Sequence, residues 1–217
     1  MKHLLLPALA ALGTVVAAAA PLTLREIGGH RPSPAPLSAS VVVIIDAQRE
    51  YTDGRLPLAG VADALRQTNR LLARARAAGV PIIHIQQLSK PGRGLFDSDG
   101  PFVAFAPEAT PRSGETVIAK QLPNAFAGTT LADALQQLGR KKIVVSGYMT
   151  HMCVSATVRA GFDLGYEITV IADACATRDL PDGAGGSLPA ATVHRVALAE
   201  LADRFATIVT TLDQIPD

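Results

Sequence analysis

The sequence predicts a three-layer α/β/α domain, Rossmann-like, built on a six-stranded, mainly parallel sheet. Short apolar runs rich in Val and Ile alternate along the chain with segments whose apolar residues recur at helical spacing. Glycine follows three of the helical segments, at Gly79, Gly139 and Gly165, where helices commonly end. Strands that alternate with helices pair in parallel through right-handed crossovers, and the helices cover the faces of the sheet.

Two strand signals stand out, because Val41–Ile45 and Ile143–Val145 are wholly apolar. Strands buried on both faces of a parallel sheet have continuous apolar sequences, so we expect these two to be central neighbours. A long loop rich in Gly and Pro, Ser89–Ser113, precedes the third strand, and loops of that length are usually functional or mobile. The predicted strands are Val41–Ile45, Pro81–Gln86, Thr116–Ala119, Ile143–Ser146, Glu167–Ile171 and Ala206–Val209, and the predicted helices are Val61–Ala78, Leu131–Gly139, Cys153–Gly165 and a last one through Val193–Phe205.

The composition fits one globular domain, with 48% hydrophobic and 18% charged residues among 217. We place that domain at 41–217, after an irregular, proline-containing lead-in at 21–40. The net charge of +1 and the absence of a Lys/Arg run argue against a nucleic-acid surface. The two cysteines, Cys153 and Cys175, cannot build a disulfide framework.

The first twenty residues differ from the rest of the chain. A weakly basic Met1–His3 precedes an almost wholly apolar stretch that ends in a run of alanines, Ala17–Ala20. This pattern predicts a secretory signal peptide at 1–20 and an exported, periplasmic protein without stable membrane association once the segment is removed. A membrane span is disfavoured because the stretch is short and holds Pro7 and Gly13. The alternative is an uncleaved arm on a cytoplasmic protein.

Three reactive side chains follow three of the predicted strands. Asp46 follows the first strand, Lys120 the third, and Cys153 comes shortly after the fourth. Ligands of open α/β sheets bind outside the carboxyl ends of the strands, so we expect these residues to converge. A cysteine where a helix begins meets unpaired N–H groups and the positive end of the helix dipole, which lower its pKa and favour the nucleophilic thiolate. Taken singly, the three residues also fit a buried structural cysteine, a turn-capping aspartate and a solvated lysine.

The chain from Val41 to its end resembles the isochorismatase-like cysteine hydrolases. The stretches that carry the resemblance are VVVIIDAQREY around Asp46, VIAKQLPNAFAGTTL around Lys120, SGYMTHMCV around Cys153 and DACAT from Asp173. Three of these motifs lie at strand ends in the order that the family shows. The resemblance is specific for the family but not for a substrate.

The resemblance implies roles for individual residues. Asp46, Lys120 and Cys153 would form a catalytic triad in which Asp46 takes the thiol proton, Lys120 holds the negative charge and the thiolate attacks a carbonyl carbon. A non-proline cis peptide would fall at Tyr148–Met149, and the N–H groups of Met149 and Cys153 would form the oxyanion hole. The residues expected to shape the substrate pocket are Gln48, Phe126 and Tyr148.

The function implied by the resemblance is metal-independent hydrolysis of a small amide or ureido C–N bond through a Cys153 thioester. An isochorismatase-type vinyl-ether hydrolase is the alternative within the family, and it needs the aspartate as an acid but no nucleophile. A non-catalytic binding protein with the same fold is a third possibility, and it predicts the loss of a triad residue. The expected partners are a small-molecule substrate and, by resemblance, further copies of the chain in a homo-oligomer.

No metal or other cofactor is expected. Nicotinamidases of the family carry a metal-binding Asp-x-His after the first motif, whereas residues 52–55 here are Thr-Asp-Gly-Arg and offer no histidine ligand. We interpret His84, on the second strand, as a packed core residue. We expect His151 to be an exposed polar residue, His194 to lie at the surface or an interface, and Cys175 to be a small packed residue near the site.

The signal-peptide hypothesis predicts that the mature protein starts near Ala20 and is found outside the cytoplasm. N-terminal sequencing of natively expressed protein, after fractionation of the cells, measures both properties. An intact segment from Met1 to Ala20 in the cytosolic fraction would contradict the prediction.

Overall fold

The computed structural model describes residues 20–217, so the predicted signal peptide lies outside the described residues except for Ala20. Among these residues, no helix is long and apolar enough to cross a membrane. The helices are α1 (Leu24–Ile27), α2 (Val61–Ala77), α3 (Leu131–Gln137), α4 (Ser155–Asp163) and α5 (Ala190–Arg204). The strands are β1 (Ser40–Ile45), β2 (Ile82–Gln87), β3 (Thr116–Lys120), β4 (Lys142–Tyr148), β5 (Glu167–Ala176), β6 (Leu180–Pro181), β7 (Ser187–Leu188) and β8 (Thr207–Val209).

The main sheet has six strands in the order β3-β2-β1-β4-β5-β8, and every neighbouring pair is parallel. The predicted fold class is therefore confirmed. β1 and β4 are the central neighbours, as their apolar sequences predict. The chain adds β2 and β3 on one side of β1 and the later strands on the other, so the strand order reverses between β1 and β4. Ligands of open α/β sheets bind at such a switch point.

Both faces of the sheet are covered, which is why β1 is apolar from Val41 to Ile45. All six residues of β1 are buried. Val42 and Ile44 pack on the face that holds α2, whereas Val41, Val43 and Ile45 pack on the face that holds α3, α4 and α5. Successive side chains of a strand point to opposite faces, so a strand between two helical layers needs an apolar residue at every position.

The lead-in at 21–40 is more ordered than its sequence predicts. Thr23 and Glu26 form a capping box that begins the short helix α1, a signal that the prolines nearby obscure. The N–H of Leu24 donates to Asp203 Oδ1 of α5 at 2.8 Å. Further along, the N–H of Ala35 donates to Thr169 Oγ1 of β5 at 3.1 Å. The lead-in therefore lies along the α5 and β5 side of the domain.

Gly147 allows the central strands to approach each other next to the site. Its φ is 128°, in a region that residues with a side chain rarely adopt. A Cβ at this position would overlap the carbonyl oxygen of Ile45 on β1. The register between β4 and β5 also shifts between Val145 and Gly147. The glycine therefore sits where β4 leaves regular pairing, immediately before the segment that carries Cys153.

We expect Gly147→Ala to lower the free energy of unfolding by about 3 kcal/mol or more, because the backbone strain and the steric overlap add. Urea denaturation of the purified variant measures this loss. Gly139→Ala is the matched control, since Gly139 has a φ of 63° but its Cβ would meet nothing within 4 Å. It should cost only the strain, about 1–2 kcal/mol. Equal losses at the two positions would contradict the steric argument.

Candidate active site

Asp46, Lys120 and Cys153 meet at the carboxyl edge of the sheet. The Nζ atom of Lys120 lies 2.7 Å from Oδ2 of Asp46 and 3.3 Å from Sγ of Cys153. All three residues are buried. The structure thus brings together the three residues that the strand-end pattern selects.

Asp46 adopts a backbone conformation that few residues other than glycine tolerate. Its φ is 51°, in the left-handed region where Asp is several-fold enriched among non-glycine residues. The Asp46 N–H donates to the carbonyl of Ile85 at 3.0 Å, and the Asp46 carbonyl accepts from the Gln48 N–H at 2.8 Å. The residue is therefore held at the end of β1 while the chain turns away. Such conformations concentrate at functional sites.

Lys120 reaches the site from β3 by crossing the end of β2. Gln87, the last residue of β2, accepts a hydrogen bond from Lys120 Nζ at its Oε1 atom, at 2.6 Å. The backbone of Gln87 is fixed in turn by Gln48, whose amide accepts from the Gln87 N–H at 2.8 Å and donates to its carbonyl at 3.0 Å. The sequence reasoning missed Gln87. The strand-end rule would have selected it if the predicted strand had been one residue longer.

Cys153 lies in a π-helical turn, Thr150–Val154, between β4 and α4. Helical backbone therefore begins three residues earlier than the sequence predicts, and Cys153 is inside the turn and not at its first position. The N–H groups of Met152 and Val154, on either side of Cys153, both donate to the carbonyl of Met149, at 3.0 and 3.2 Å. The Tyr148–Met149 peptide is cis, as the resemblance implies.

The expected lowering of the Cys153 pKa does not occur. Burial, and after it the Asp46 charge, raise the pKa of Cys153 to about 12, although Lys120 acts in the opposite direction. Burial also raises the pKa of Asp46, against the lowering effect of Lys120. Loss of solvation outweighs the helix dipole here because the thiol lies inside the turn, away from water. The thiol therefore keeps its proton at neutral pH.

Tyr51 and Phe96 form an aromatic wall next to the triad that the sequence analysis did not select. The Tyr51 pKa is raised first by burial and then by the nearby charges of Asp46, Cys153 and Glu50, so the ring lies close to the reactive groups. The Phe96 ring lies 5.1 Å from it, edge to face. The buried Glu50 carboxylate accepts from the Phe96 N–H at 3.0 Å and from the Arg55 N–H at 2.9 Å. Glu50 thereby ties the long loop to the site.

The three residues expected to shape the substrate pocket differ in their burial and contacts. Gln48 is fully buried, and its amide also donates to the carbonyl of Val103 at 2.7 Å, so its polar atoms are committed to the protein. Tyr148 is fully buried and packs edge to face against Tyr51, at 5.8 Å between ring centroids, and its role in shaping the pocket stays a prediction. Phe126 is half-buried and stacks on Tyr166.

A cavity of about 370 Å³ lies beside Lys120. Phe126 does not line this cavity, but Ala127, the next residue along the chain, does. Neither Asp46 nor Cys153 lines it, and the side chain of Lys120 is fully buried. The lining residues are Leu88, Ala119, Lys120, Gln121, Leu122, Ala127 and Gly128.

The remaining titratable residues occupy their own contacts. His84 is fully buried and its Nε2 lies 2.8 Å from Glu115, which confirms a packed core histidine. His151 is half-buried and bonds Thr177 Oγ1, so it is less exposed than expected. Cys175 is buried and free. Among residues 20–217, no three His, Cys, Asp or Glu side chains are grouped so as to hold a metal ion.

Comparison with known proteins identifies the family of the chain. The model of the isochorismatase domain matches residues 40–213. The chain belongs to the isochorismatase family. A crystal structure of an isochorismatase from Pseudomonas putida KT2440 superposes with a TM-score of 0.86 and 42% identity, covering 90% of this chain and 100% of that one.

Two relatives indicate hydrolase activity. The secreted isochorismatase effector Isc1 of Verticillium dahliae is 40% identical over 189 residues, 87% of this chain and 97% of its own length. Streptothricin hydrolase of Streptomyces noursei is 33% identical over 182 residues, 80% of this chain and 71% of its own length. The family member described here is accordingly a hydrolase.

The ammonium group of Lys120 stabilises the thiolate form of Cys153. We therefore expect Lys120→Ala to raise the Cys153 pKa further. Alkylation of Cys153 by iodoacetamide, followed by mass spectrometry between pH 7 and 10, should slow at least about tenfold at every pH, the effect of one pKa unit. Lys142→Ala, at the opposite end of the sheet, is the control and should leave the rate unchanged. Equal alkylation rates in the wild type and Lys120→Ala would show that Lys120 does not act on the thiol.

Proposed function

We propose that this protein is a cysteine hydrolase that cleaves a small amide or ureido C–N bond through a thioester on Cys153. The observation that supports this most directly is the buried contact of Lys120 with both Asp46 and Cys153, at 2.7 and 3.3 Å. A thiol, a carboxylate with a raised pKa and a fixed cation are the groups that nucleophilic attack on a carbonyl requires.

In the first half of the proposed reaction, Asp46 takes the proton of the Cys153 thiol as the sulfur attacks the carbonyl carbon. The carbonyl oxygen becomes an oxyanion, and the N–H groups of Met149 and Cys153 are the donors proposed to hold it. Asp46 then gives its proton to the leaving nitrogen, and the C–N bond breaks. The products of this half are the free amine or ammonia and a thioester.

The second half repeats the same steps with water. Asp46 removes a proton from the water molecule as its oxygen attacks the thioester carbonyl. The carbon–sulfur bond breaks, and the proton returns to the sulfur. The acid product leaves and the thiol is restored. Lys120 acts as a fixed positive charge throughout.

The proposed substrate class is a small amide or ureide, and it rests on the family and on the three reactive groups. The cavity beside Lys120 does not define it, because neither Asp46 nor Cys153 is among the residues that line that cavity. The family resemblance supports the same class, since ureidoacrylate-type amidohydrolases belong to it. The deciding assay is release of ammonia or amine from a panel of small amides and ureides.

We expect Cys153→Ala to lower turnover of any amide substrate by about a thousandfold or more while the protein stays folded, because a small buried side chain is replaced by a smaller one. Intact-mass analysis should show an acyl adduct on Cys153 in the wild type and none in the variant. Cys175→Ala is the matched control, because Cys175 is also a buried free thiol. Wild-type turnover by Cys153→Ala would refute the thioester mechanism.

Asp46→Asn should be nearly as inactive, because the base is removed while the shape is kept. The Cys153→Ala/Asp46→Asn double variant should be hardly worse than either single variant, since the residues act as a unit. Turnover measured on all three variants tests this. If only Asp46→Asn loses activity, the acid-catalysed hydrolysis of a vinyl ether becomes the better account, because a carboxyl group with a raised pKa also suits a general acid.

We further propose that the protein is exported. Two observations support this: the apolar segment that opens the chain and a relative, 40% identical, that is named as secreted. In that case the hydrolase acts on substrates outside the cytoplasm.

A further inference from the structure

Thr150, the first residue of the turn that carries Cys153, has a buried hydroxyl with two partners. Its Oγ1 atom donates to the carbonyl of Ala176, at the end of β5, over 3.1 Å. The same atom lies 2.9 Å from Nδ1 of His194 on α5. Two separate elements of the fold, β5 and α5, therefore converge on the start of the nucleophile turn.

The two contacts determine where the proton of the imidazole lies. A threonine hydroxyl has one proton, and a carbonyl oxygen can only accept. Since the proton of Thr150 goes to Ala176, the hydroxyl must accept from His194. The neutral ring therefore carries its proton on Nδ1, and its Nε2 atom is an acceptor. Burial lowers the pKa of His194, which favours the neutral ring at neutral pH.

Fixing Thr150 also fixes the atoms on either side of the nucleophile. Thr150 is joined to Met149, whose carbonyl accepts from the N–H groups of Met152 and Val154 at 3.0 and 3.2 Å. Cys153 lies between those two donors. A shift of Thr150 would therefore move both the Met149 N–H and the Cys153 thiol relative to Lys120.

We propose that His194 is a positioning residue for Cys153, acting through the Nδ1–H donor that it presents to Thr150. The proposal rests on the proposed role of Cys153 as the nucleophile. Within residues 20–217, His194 forms no hydrogen bond or ion pair with the three reactive side chains. Its effect on the reaction is therefore indirect, through the geometry of the π-helical turn.

The tautomer can be measured in the unmodified protein. In a ¹⁵N-labelled sample at neutral pH, the long-range ¹H–¹⁵N correlations of His194 should show a protonated Nδ1 and an unprotonated Nε2. This measurement does not depend on turnover, so it stands even if the thioester mechanism fails. A ring protonated at Nε2 and bare at Nδ1 would overturn the proposal.

Two substitutions of similar size separate positioning from general stability. In His194→Asn the side-chain amide can occupy the place of Nδ1, so the donor to Thr150 is kept. In His194→Gln the amide lies one bond further out, near the place of Nε2, and the donor is lost. The neighbouring Arg195→Ala variant, at an exposed position of the same helix, is the control.

We expect His194→Gln to lower kcat about tenfold, the effect of one misplaced hydrogen bond, with KM within about twofold. The rate at which iodoacetamide alkylates Cys153 should also differ between His194→Gln and the wild type. His194→Asn should stay within about threefold of the wild type in kcat, and Arg195→Ala should be unchanged. Denaturation midpoints of all three variants show whether each is folded under the assay conditions.

The outcomes of these experiments bear either on the positioning role of His194 or on the proposed function. Equal kcat and equal alkylation rates for His194→Asn, His194→Gln and the wild type would overturn the positioning role. A loss in both variants that follows their denaturation midpoints, with no difference between Asn and Gln, would also overturn it, because that pattern is one of stability. If Cys153→Ala keeps its turnover, the proposed function fails instead, and the alkylation rates and the tautomer still decide whether His194 positions the thiol.

Discussion

The site depends on one buried ion pair, between Asp46 at the end of β1 and Lys120 at the end of β3. Both side chains are fully buried, and Nζ lies 2.7 Å from Oδ2. Burying two charges is costly unless the remaining hydrogen-bonding capacity is satisfied. The structure supplies Gln87 Oε1 and Cys153 Sγ as further acceptors for the ammonium group. Among residues 20–217, the carboxylate of Asp46 has no hydrogen-bond donor beyond its contact with Lys120. The ion pair therefore needs the ends of β1, β2 and β3 and the turn that carries Cys153 to lie next to one another.

That requirement explains several local features that look costly in isolation. Asp46 has a positive φ, which turns the chain away from the direction of β1. Without this turn, Asp46 would continue along the strand. Gly147 lies against Ile45 so closely that a side chain would overlap it. Gln48 uses its amide to hold the backbone of Gln87. Each feature brings a strand end to the position that the ion pair needs, and backbone strain is found at such sites when the surrounding structure enforces it.

The sequence predicted the sheet and the triad because both follow from local patterns. The apolar run Val41–Ile45 identifies a strand buried on both faces, and Asp46 and Lys120 mark strand ends. The contact between the Tyr148 and Tyr51 rings was not predicted, because it joins two segments that are far apart in the sequence. The pKa of Cys153 could not be predicted, because it depends on burial by residues that are distant in sequence.

The raised pKa of Cys153 also explains why the proposed reaction uses a thiol, a carboxylate and an ammonium group together. An ionised Asp46 and the Lys120 ammonium together carry no net charge, so a thiolate beside them would leave a buried net negative charge. With the thiol protonated, attack and proton transfer to Asp46 create an oxyanion as the carboxylate is neutralised, and the net charge stays at zero. It stays at zero again when Asp46 gives the proton to the leaving nitrogen. A buried site favours a path of constant net charge, because every unbalanced charge would lose its solvation.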